Sequence, residues 1–314
     1  MSAAGDILLR GLKLFLFCLL AAGATGCADR PHSGPVFSVM SYNIGNRSEP
    51  LPTVKQIAAV VRKHTAPDVL LVQETPWPVK MKKLAQELHY PYFVSGRKMA
   101  ARSNLAIFSR LPLSNPSTLP LNHSHNKKPA ALSAEVLIDN QTVLFCTVHL
   151  ATLRFKFERI VREKGGGKIS SALRLVGREY FRDTEHSRSV ERLVKWLESK
   201  PYSAVIAGGD FNTFLFSRPM RIMNRHFDDI LWPSMDYFAG TYCKVSFPVK
   251  PRIDYIYHSQ GVKRIKAEII RETPGDHYPI RAVFSLSGEK NQAKEHPGAI
   301  KQNRVEEEDY FIRL

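Results

Sequence analysis

The chain has 314 residues and a hydrophobic content of 44%, which excludes a disordered chain and suits one large domain or two small ones with a sizeable core. Its 45 Lys and Arg residues against 29 acidic residues give a formal net charge of +16. A protein this basic concentrates anions around itself. The charge therefore points to nucleic acid, anionic lipid or phosphorylated small molecules as partners, without choosing among them.

The first 26 residues have the features of a targeting segment. A positively charged start precedes an apolar run from Leu14 to Ala22 that is too short to span a bilayer comfortably, and small residues follow. The segment closes on ATGC, which resembles the lipobox of bacterial lipoproteins. That resemblance implies removal of residues 1–26, lipidation of Cys27, and an exported protein anchored to a membrane at the outer membrane, cell surface or periplasm. The alternative is an ordinary secretory peptide cut nearby.

Residues 27–35 read as a short tether, and strands and helices alternate from Val36 onward. The predicted helices include PTVKQIAAVVRKH, PVKMKKLAQEL and HSRSVERLVKWL; the predicted strands are VFSVMSYN, APDVLLVQE, PYFVSG, SNLAIFSR, LSAEVLID, QTVLFCTVHL, SAVIAGGDF, RIDYIYHS, VKRIKAEII and YPIRAVFSL. Asp139 and Asn140 suit the tight turn of a hairpin. Hairpins mixed with helical crossovers predict a mixed sheet system with helices outside. Residues 287–314 form a polar tail, predicted to be loose or helical.

The stretch AVIAGGDFNT ends an apolar strand on polar residues. Gly208 and Gly209 allow close approach of the backbone. Asp210 and Asn212 are two residues apart, so strand geometry predicts that both side chains point to the same side. A carboxylate beside an amide can hold a water or help to position a metal, although the pair could also simply cap the next turn.

The same pattern recurs at the ends of other apolar strands. Acidic, amide or imidazole groups stand at Asn43, at Gln73 and Glu74, at His149, at Asp254, and at Asp276 and His277. Burying such groups without partners is costly, so they must satisfy one another or bind an ion.

The segments SYNIG, VQET, TVHL, GGDFN, RIDYI and GDHYP, in this order, resemble the endonuclease/exonuclease/phosphatase superfamily, the group around DNase I. The resemblance covers Val36 to Leu286. It implies an α/β fold for residues 36–286, a four-layer sandwich of two packed mixed β-sheets flanked by helices. It also implies a site at one end, where the strand tips converge.

The resemblance implies a divalent metal site for Mg²⁺ or Mn²⁺. Glu74 would be the main ligand, supported by Asn43 and Asp276. Hard divalent cations prefer such oxygen ligands.

The resemblance also assigns catalytic roles. Asp210 would orient or deprotonate the attacking water, and Asn212 would bind a phosphate oxygen. Asp254 would hold His277 in the right tautomer and stabilise its charged form. His149 would contact the phosphoryl oxygens and help to protonate the leaving group.

Some positions depart from the family's pattern. Gly275 stands where many relatives have serine, and Thr75-Pro76 lacks the lysine that follows the threonine in exonuclease III-type repair enzymes. Where DNase I-like enzymes offer an acid to the first histidine, this chain has Ser103 and Asn104. The ionisation state of His149 therefore does not follow from the resemblance. Asn104 is a candidate contact for the substrate.

Residues 154–183 form an insertion with nine Lys and Arg residues against four acidic ones. Its start directly after His149 predicts a place beside the site. Arg174 and Arg178 lie on one face of a predicted amphipathic helix and are candidate substrate contacts. The helix could lie on an anionic membrane or guide a polyanion, or its apolar side could pack on the sheet and leave the arginines merely solvated.

The sequence as a whole predicts an exported, lipid-anchored, divalent-metal-dependent phosphoesterase that cleaves phosphodiester bonds, with no obligate protein partner. Its substrate is a phosphate ester in nucleic acid or in a phospholipid headgroup. A nuclease suits the basic charge. A phospholipid or phosphoinositide phosphodiesterase or phosphatase suits the anchor. A non-catalytic lipoprotein that binds a phosphorylated ligand is the alternative of another class.

Overall fold

The structure is a computed structural model that describes residues 34–45, 51–75, 78–99, 101–121, 130–152, 168–199, 202–244, 250–287 and 311–313. The predicted signal segment, Cys27 and the first part of the basic insertion lie outside the described residues. The chain from Gly34 onward forms one compact unit. Within the described ranges, no helix is long and apolar enough to cross a membrane.

Thirteen strands and five α-helices are formed by the described residues. The strands are β1 Val36–Asn43, β2 Val69–Gln73, β3 Tyr92–Ser95, β4 Leu105–Ser109, β5 Leu113–Pro120, β6 Ala130–Ile138, β7 Gln141–His149, β8 Ala204–Asp210, β9 Asp228–Asp229, β10 Asp254–His258, β11 Val262–Ile269, β12 Ile280–Leu286 and β13 Phe311–Arg313. The helices are α1 Val54–Lys63, α2 Pro78–Leu88, α3 Lys168–Phe181, α4 Glu185–Glu198 and α5 Arg218–Met223, with 3-10 turns at Gly96–Lys98 and Met235–Phe238.

The strands form two mixed sheets. The first has seven strands in the order β11-β12-β1-β2-β4-β3-β13, and the second has six in the order β5-β6-β7-β8-β10-β9. The pairs β1–β2 and β7–β8 are parallel, and their other neighbours are antiparallel. The predicted mixed architecture is therefore confirmed.

Three apolar clusters join four layers. The central cluster fills the space between the sheets, with Phe37 and Leu71 from the first and Phe145 and Ile206 from the second. In a second cluster, α1 and α2 pack on the outer face of the first sheet. In a third, α4 and α5 pack on the outer face of the second sheet. The four-layer sandwich predicted from the sequence is the observed fold.

Local sequence signals explain several boundaries. Thr53 and Gln56 form a capping box that begins α1, and Thr184 caps α4. Asp139 and Asn140 take φ values of 49° and 60° in the tight turn between β6 and β7, as predicted. The expectation of a loose or helical tail is wrong for its last described residues, because Phe311–Arg313 pairs with β3 as a strand.

The two glycines of β8 meet very different surroundings. A Cβ at Gly209 would lie 1.9 Å from the carbonyl oxygen of Val148 and 2.7 Å from its carbonyl carbon, which are backbone atoms of the neighbouring strand. A Cβ at Gly208 would lie 3.0 Å from Ile256 Cγ1 and 3.1 Å from Leu71 Cδ1, which are side-chain atoms. The sheet can therefore accept a methyl group at Gly208 far more readily than at Gly209.

Gly209→Ala should accordingly destabilise the fold by about 2–3 kcal/mol, because the strand next to the site must shift to relieve the clash. Gly208→Ala, the matched control, should cost clearly less because side chains can adjust. Urea denaturation of both variants measures the difference. Equal losses of stability would show that the close approach of β7 and β8 is not what requires glycine.

Candidate active site

The predicted polar strand ends meet at one end of the sandwich. In the second sheet, Asp210 is in register with His149 on one side and with Asp254 on the other. In the first sheet, Asn43 is in register with Gln73. The amide of Asn43 donates to Asp210 Oδ2 across the gap between the sheets, at 3.0 Å. The side chains brought together by the fold therefore come from both sheets.

Asp210 is the centre of this cluster and is buried. Its Oδ1 accepts the backbone N–H of Asn212 at 2.8 Å, and its Oδ2 lies 3.6 Å from His149 Nε2 and 3.9 Å from His277 Nε2. The two carboxylate oxygens thus have different surroundings. One closes a turn of the backbone, and the other faces two imidazoles and the amide of Asn43.

Asn212 is placed by a turn and not by strand alternation. The strand ends at Asp210, Asn212 takes a φ of 48°, and its amide donates to the carbonyl of Leu150 at 3.0 Å. Asp210 therefore has both of the roles that the sequence left open. It caps the turn that follows β8, and it also faces the site. The predicted contact of Asn212 with phosphate remains a prediction.

Asp254 and His277 form a buried pair. Nδ1 of His277 lies 2.9 and 3.1 Å from the two carboxylate oxygens of Asp254. This contact fixes the ring so that its Nε2 is directed toward Asp210, in line with the orienting role predicted for Asp254.

Glu74 and His149 stand on opposite sheets and face each other. Glu74 follows the last residue of β2 with a φ of 55°, and its Oε1 lies 3.9 Å from His149 Nε2. The positive φ turns the chain sharply at the end of the strand. Glu74 thereby lies beside the same imidazole that approaches Asp210.

Burial and charge strongly perturb the ionisation of this cluster. Burial raises the pKa of Asp210 to about 8, and the carboxylates of Asp254 and Glu74 add to the rise, while the charge of His277 opposes it. Burial would lower the pKa of His277, but the carboxylates of Asp254 and Asp210 outweigh it and raise that pKa to about 10. The Asp254 and Asp210 carboxylates thus favour the charged form of His277.

The donor set fits a divalent cation. Four carboxyl groups, those of Glu74, Asp210, Asp254 and Asp276, occupy a small, mostly buried region whose cationic counter-charge comes from imidazoles. Asp276 Oδ1 is buried and has no hydrogen-bond partner among the described residues. A cation would compensate both the excess negative charge and the unpaired oxygen.

Two groupings of possible metal ligands overlap here. Ligand atoms of Asp210, Asp254 and His277 all lie within 4.8 Å of one another. Because His277 Nδ1 and Asp254 are already hydrogen-bonded to each other, this trio is better described as the acid–imidazole part of the site. Of the ligands predicted from the sequence, Asn43 directs its amide nitrogen to Asp210 while its Oδ1 accepts the N–H of Gly45 at 3.0 Å, and Glu74 Oε1 lies beside His149. The ligand roles of Glu74, Asn43 and Asp276 remain predictions.

The remaining predicted contacts lie close to the site or beside it. The backbone carbonyl of Asn104 accepts the N–H of Thr75 at 3.0 Å, so Asn104 adjoins Glu74. Arg174 and Arg178 are exposed on α3. Tyr180 of that helix donates its hydroxyl to the carbonyl of Leu215, in the loop that follows Asn212. The end of α3 therefore packs on the loop that follows Asn212, and the place of the whole insertion beside the site remains a prediction.

Several residues of the site carry no signal in the sequence. The hydroxyl of Thr241 accepts the backbone N–H groups of Ile253 and Asp254, at 3.1 and 3.0 Å, and so fixes the start of β10. Tyr242 pairs its backbone with His277 and meets the imidazole edge-on at 5.1 Å. Both lie in an irregular loop without hydrophobic periodicity, so only the folded chain reveals them.

These features define an α/β sandwich with an acid–imidazole site at one end, where the ends of the central strands of its two sheets meet. The profile of the Endonuclease/Exonuclease/phosphatase family matches residues 40–277. The chain therefore belongs to that family, whose name covers nucleases and phosphatases, enzymes that hydrolyse phosphate esters. No curated protein matches the chain.

Solved structures share the fold at low sequence identity. An endonuclease/exonuclease/phosphatase family protein from Bacteroides thetaiotaomicron is 15% identical, with a TM-score of 0.62 over 81% of this chain and 99% of that one. A mannosyl-6-phosphatase from the same organism is 15% identical, with a TM-score of 0.59 over 80% and 100%. D. rerio TDP2, complexed with a single-strand DNA product, is 16% identical, with a TM-score of 0.58 over 80% and 99%.

Proposed function

We propose that this protein is a divalent-metal-dependent phosphoesterase that hydrolyses phosphodiester bonds. One observation carries the proposal. Asp210 is held between Asn43 of the other sheet, His149 and the Asp254–His277 pair at the end of the sandwich. A buried carboxylate beside oriented imidazoles is suited to proton transfer at a reacting water.

The residues of the site have different roles in the proposed reaction. The ionised form of Asp210, which predominates above its raised pKa of about 8 or when a bound cation would lower that pKa, accepts the proton of the attacking water, and Asn43 keeps the carboxylate in place. His277, positively charged and held by Asp254, stabilises negative charge on the phosphoryl oxygens. His149 faces the same carboxylate and is placed to act on the leaving group.

Glu74, Asn43 and Asp276 would hold the metal. A bound Mg²⁺ or Mn²⁺ supplies charge neutralisation at phosphorus and lowers the pKa of water. The proposal agrees with the excess of carboxylates and with the unpaired Oδ1 of Asp276.

A phosphodiester substrate is favoured by the charge of the chain. The formal net charge of +16 and the exposed Arg174 and Arg178 on α3 suit a polyanionic backbone. The DNA product in the related TDP2 structure supports this class. The similarity in fold to a mannosyl-6-phosphatase makes a phosphomonoester the competing substrate class.

In the direct test, the purified protein is incubated separately with bis-p-nitrophenyl phosphate, p-nitrophenyl phosphate, plasmid DNA, RNA and phospholipid vesicles. Each substrate is tested with Mg²⁺, with Mn²⁺ and with chelator. The expected result is metal-dependent cleavage of the diesters, with DNA or RNA among them. Release of phosphate from the monoester alone would assign a phosphatase instead. No turnover of any substrate would contradict the proposed function.

Export and lipid anchoring through Cys27 form part of the same proposal. They rest on the apolar run from Leu14 to Ala22 and on the ATGC segment that ends at Cys27. Mass spectrometry of the amino-terminal peptide of the mature protein decides between a lipidated Cys27 and an unmodified terminus.

A further inference from the structure

An exposed apolar surface lies on the loops between β8 and β10. It consists of Phe216, Trp232, Met235 and Phe238, whose side chains are 49%, 59%, 83% and 54% exposed. We call these four residues the aromatic patch. Scattered apolar residues are normal on protein surfaces, but a contiguous group of large ones marks a surface that contacts something else.

Three of the four side chains of the aromatic patch, all but Met235, pack against Tyr237. The Tyr237 ring centroid lies 5.1 Å from that of Trp232, 5.2 Å from that of Phe238 and 6.0 Å from that of Phe216. Tyr237 itself is buried. The exposed rings therefore rest on one ordered side chain.

A buried ion pair supports Tyr237. The guanidinium of Arg252 lies 5.1 Å from the centroid of its ring and donates to its carbonyl at 3.1 Å. The same guanidinium makes two hydrogen bonds to Asp229, at 2.7 and 2.8 Å. Phe216, Trp232 and Phe238 thus pack against a side chain that this network holds in place.

The aromatic patch is connected with the candidate active site. Phe216 follows Asn212 by four residues, and Phe238 precedes Thr241, whose hydroxyl fixes the start of β10. Arg252 precedes Asp254 by two residues. The loops that carry the patch are therefore continuous along the chain with residues of the site.

Arginines surround the aromatic patch. Arg264 donates to the carbonyls of Ile230 and Trp232, and Arg271 pairs with Asp236 at 3.1 Å, within the same 3-10 turn as Met235. Arg221 donates to the carbonyl of Tyr180 on α3, the helix that also carries the exposed Arg174 and Arg178. Arg264 and Arg221 bind carbonyls and so contribute positive charge to the rim of the apolar centre, whereas Asp236 offsets the charge of Arg271.

We propose that the aromatic patch docks on the surface of an anionic lipid bilayer. Tryptophan and phenylalanine favour the membrane interface, and a basic rim adds attraction to anionic headgroups. A stacking platform for nucleic-acid bases fits less well. Trp232 and Phe238 meet Tyr237 nearly edge-on, at 73° and 89°, and the most exposed position is Met235, which has no ring. Docking is an activity beyond the proposed hydrolysis and does not depend on it.

The test uses Trp232 as its reporter. The chain has three tryptophans, so the full-length variant Trp77→Phe/Trp196→Phe keeps Trp232 alone. It is mixed with phosphatidylglycerol–phosphatidylcholine vesicles whose acyl chains carry bromine, which quenches tryptophan only on close approach. The expected result is a blue shift and strong quenching of Trp232. Membrane attachment through the amino terminus alone would not produce that quenching.

Matched variants in the same background locate the contact. Met235→Ser/Phe238→Ser should lower the partition coefficient measured by Trp232 quenching by at least roughly tenfold, because two large apolar side chains no longer enter the interface. Leu137→Ser is the control, since Leu137 is 61% exposed near the opposite end of the strands and should leave quenching unchanged. If the double variant loses thermal stability, Met235→Glu replaces it, because Met235 makes little contact with the core.

Three outcomes would overturn the proposal. Vesicle binding without quenching of Trp232 would assign attachment to another part of the chain. Quenching by single-stranded DNA but not by brominated lipid would make the patch a base-stacking surface. Blue-shifted Trp232 emission without vesicles would show that the protein covers the patch itself. Asp210→Asn should be quenched like its parent, so loss of docking and loss of hydrolysis are separate results.

Discussion

Replacing Asp210 with asparagine should lower kcat for the phosphodiester by about 10³-fold, because the variant loses the group that accepts the proton of the attacking water. The shape of the side chain is retained, so substrate binding should change much less than turnover. Steady-state kinetics with bis-p-nitrophenyl phosphate at saturating Mg²⁺ measures both. Activity within tenfold of wild type would contradict the role assigned to Asp210.

The fold should survive this change. An amide keeps one acceptor oxygen, whereas Asp210 accepts from both Asn43 and Asn212, so one of these hydrogen bonds is lost. Asp139→Asn is the matched control, since Asp139 lies in an exposed turn at a φ of 49° that asparagine favours. That variant should retain wild-type kcat and thermal stability.

The main strands and helices could be predicted because their hydrophobic periodicity agrees with their burial. The missed elements lack that signal for physical reasons. β5 contains two prolines, which are tolerated because it is an edge strand, and Asn115 takes a positive φ within it. β9 is two aspartates long, and Asp229 is held there by Arg252. Such elements depend on tertiary partners that local patterns cannot show.

The composition of the site could also be predicted, because each polar group ends a strand and the ends of neighbouring strands meet at one edge. Its internal geometry could not. Positive φ values orient the side chains of Glu74 and Asn212. Asparagine adopts a positive φ readily, but glutamate rarely does, so the sequence gives no sign of the turn at Glu74. Thr241 acts through hydrogen bonds to Ile253 and Asp254, which no spacing along the chain predicts.

Mg²⁺ or Mn²⁺ should stabilise the wild-type protein strongly, because a cation that binds only the native state shifts the folding equilibrium by mass action. At a free concentration a thousandfold above Kd, the free energy of unfolding should rise by about 4 kcal/mol. Thermal denaturation followed by circular dichroism, with each cation or with chelator, measures the shift in Tm.

Glu74→Gln should remove most of that shift, since it exchanges the main predicted ligand for a neutral group of the same size. Glu87→Gln is the matched control. Glu87 is a half-exposed acid on α2 that lies 3.4 Å from Arg62, outside the site, and its replacement should leave the metal-induced shift intact. Equal shifts in wild type and Glu74→Gln would place the cation elsewhere.

The size of the metal-induced shift in Tm also tests whether the Asp276 carboxylate serves metal binding. Without a cation, Asp276 Oδ1 is buried with no hydrogen-bond partner among the described residues, and burial, together with the carboxylates of Asp254 and Glu74, raises the pKa of Asp210. Both features destabilise the apo protein, and both are relieved when a divalent cation is bound. Asp276→Asn should therefore weaken the response to Mg²⁺ while costing the metal-free protein little. A large loss of stability in metal-free Asp276→Asn would mean that this carboxylate serves the fold and not the metal.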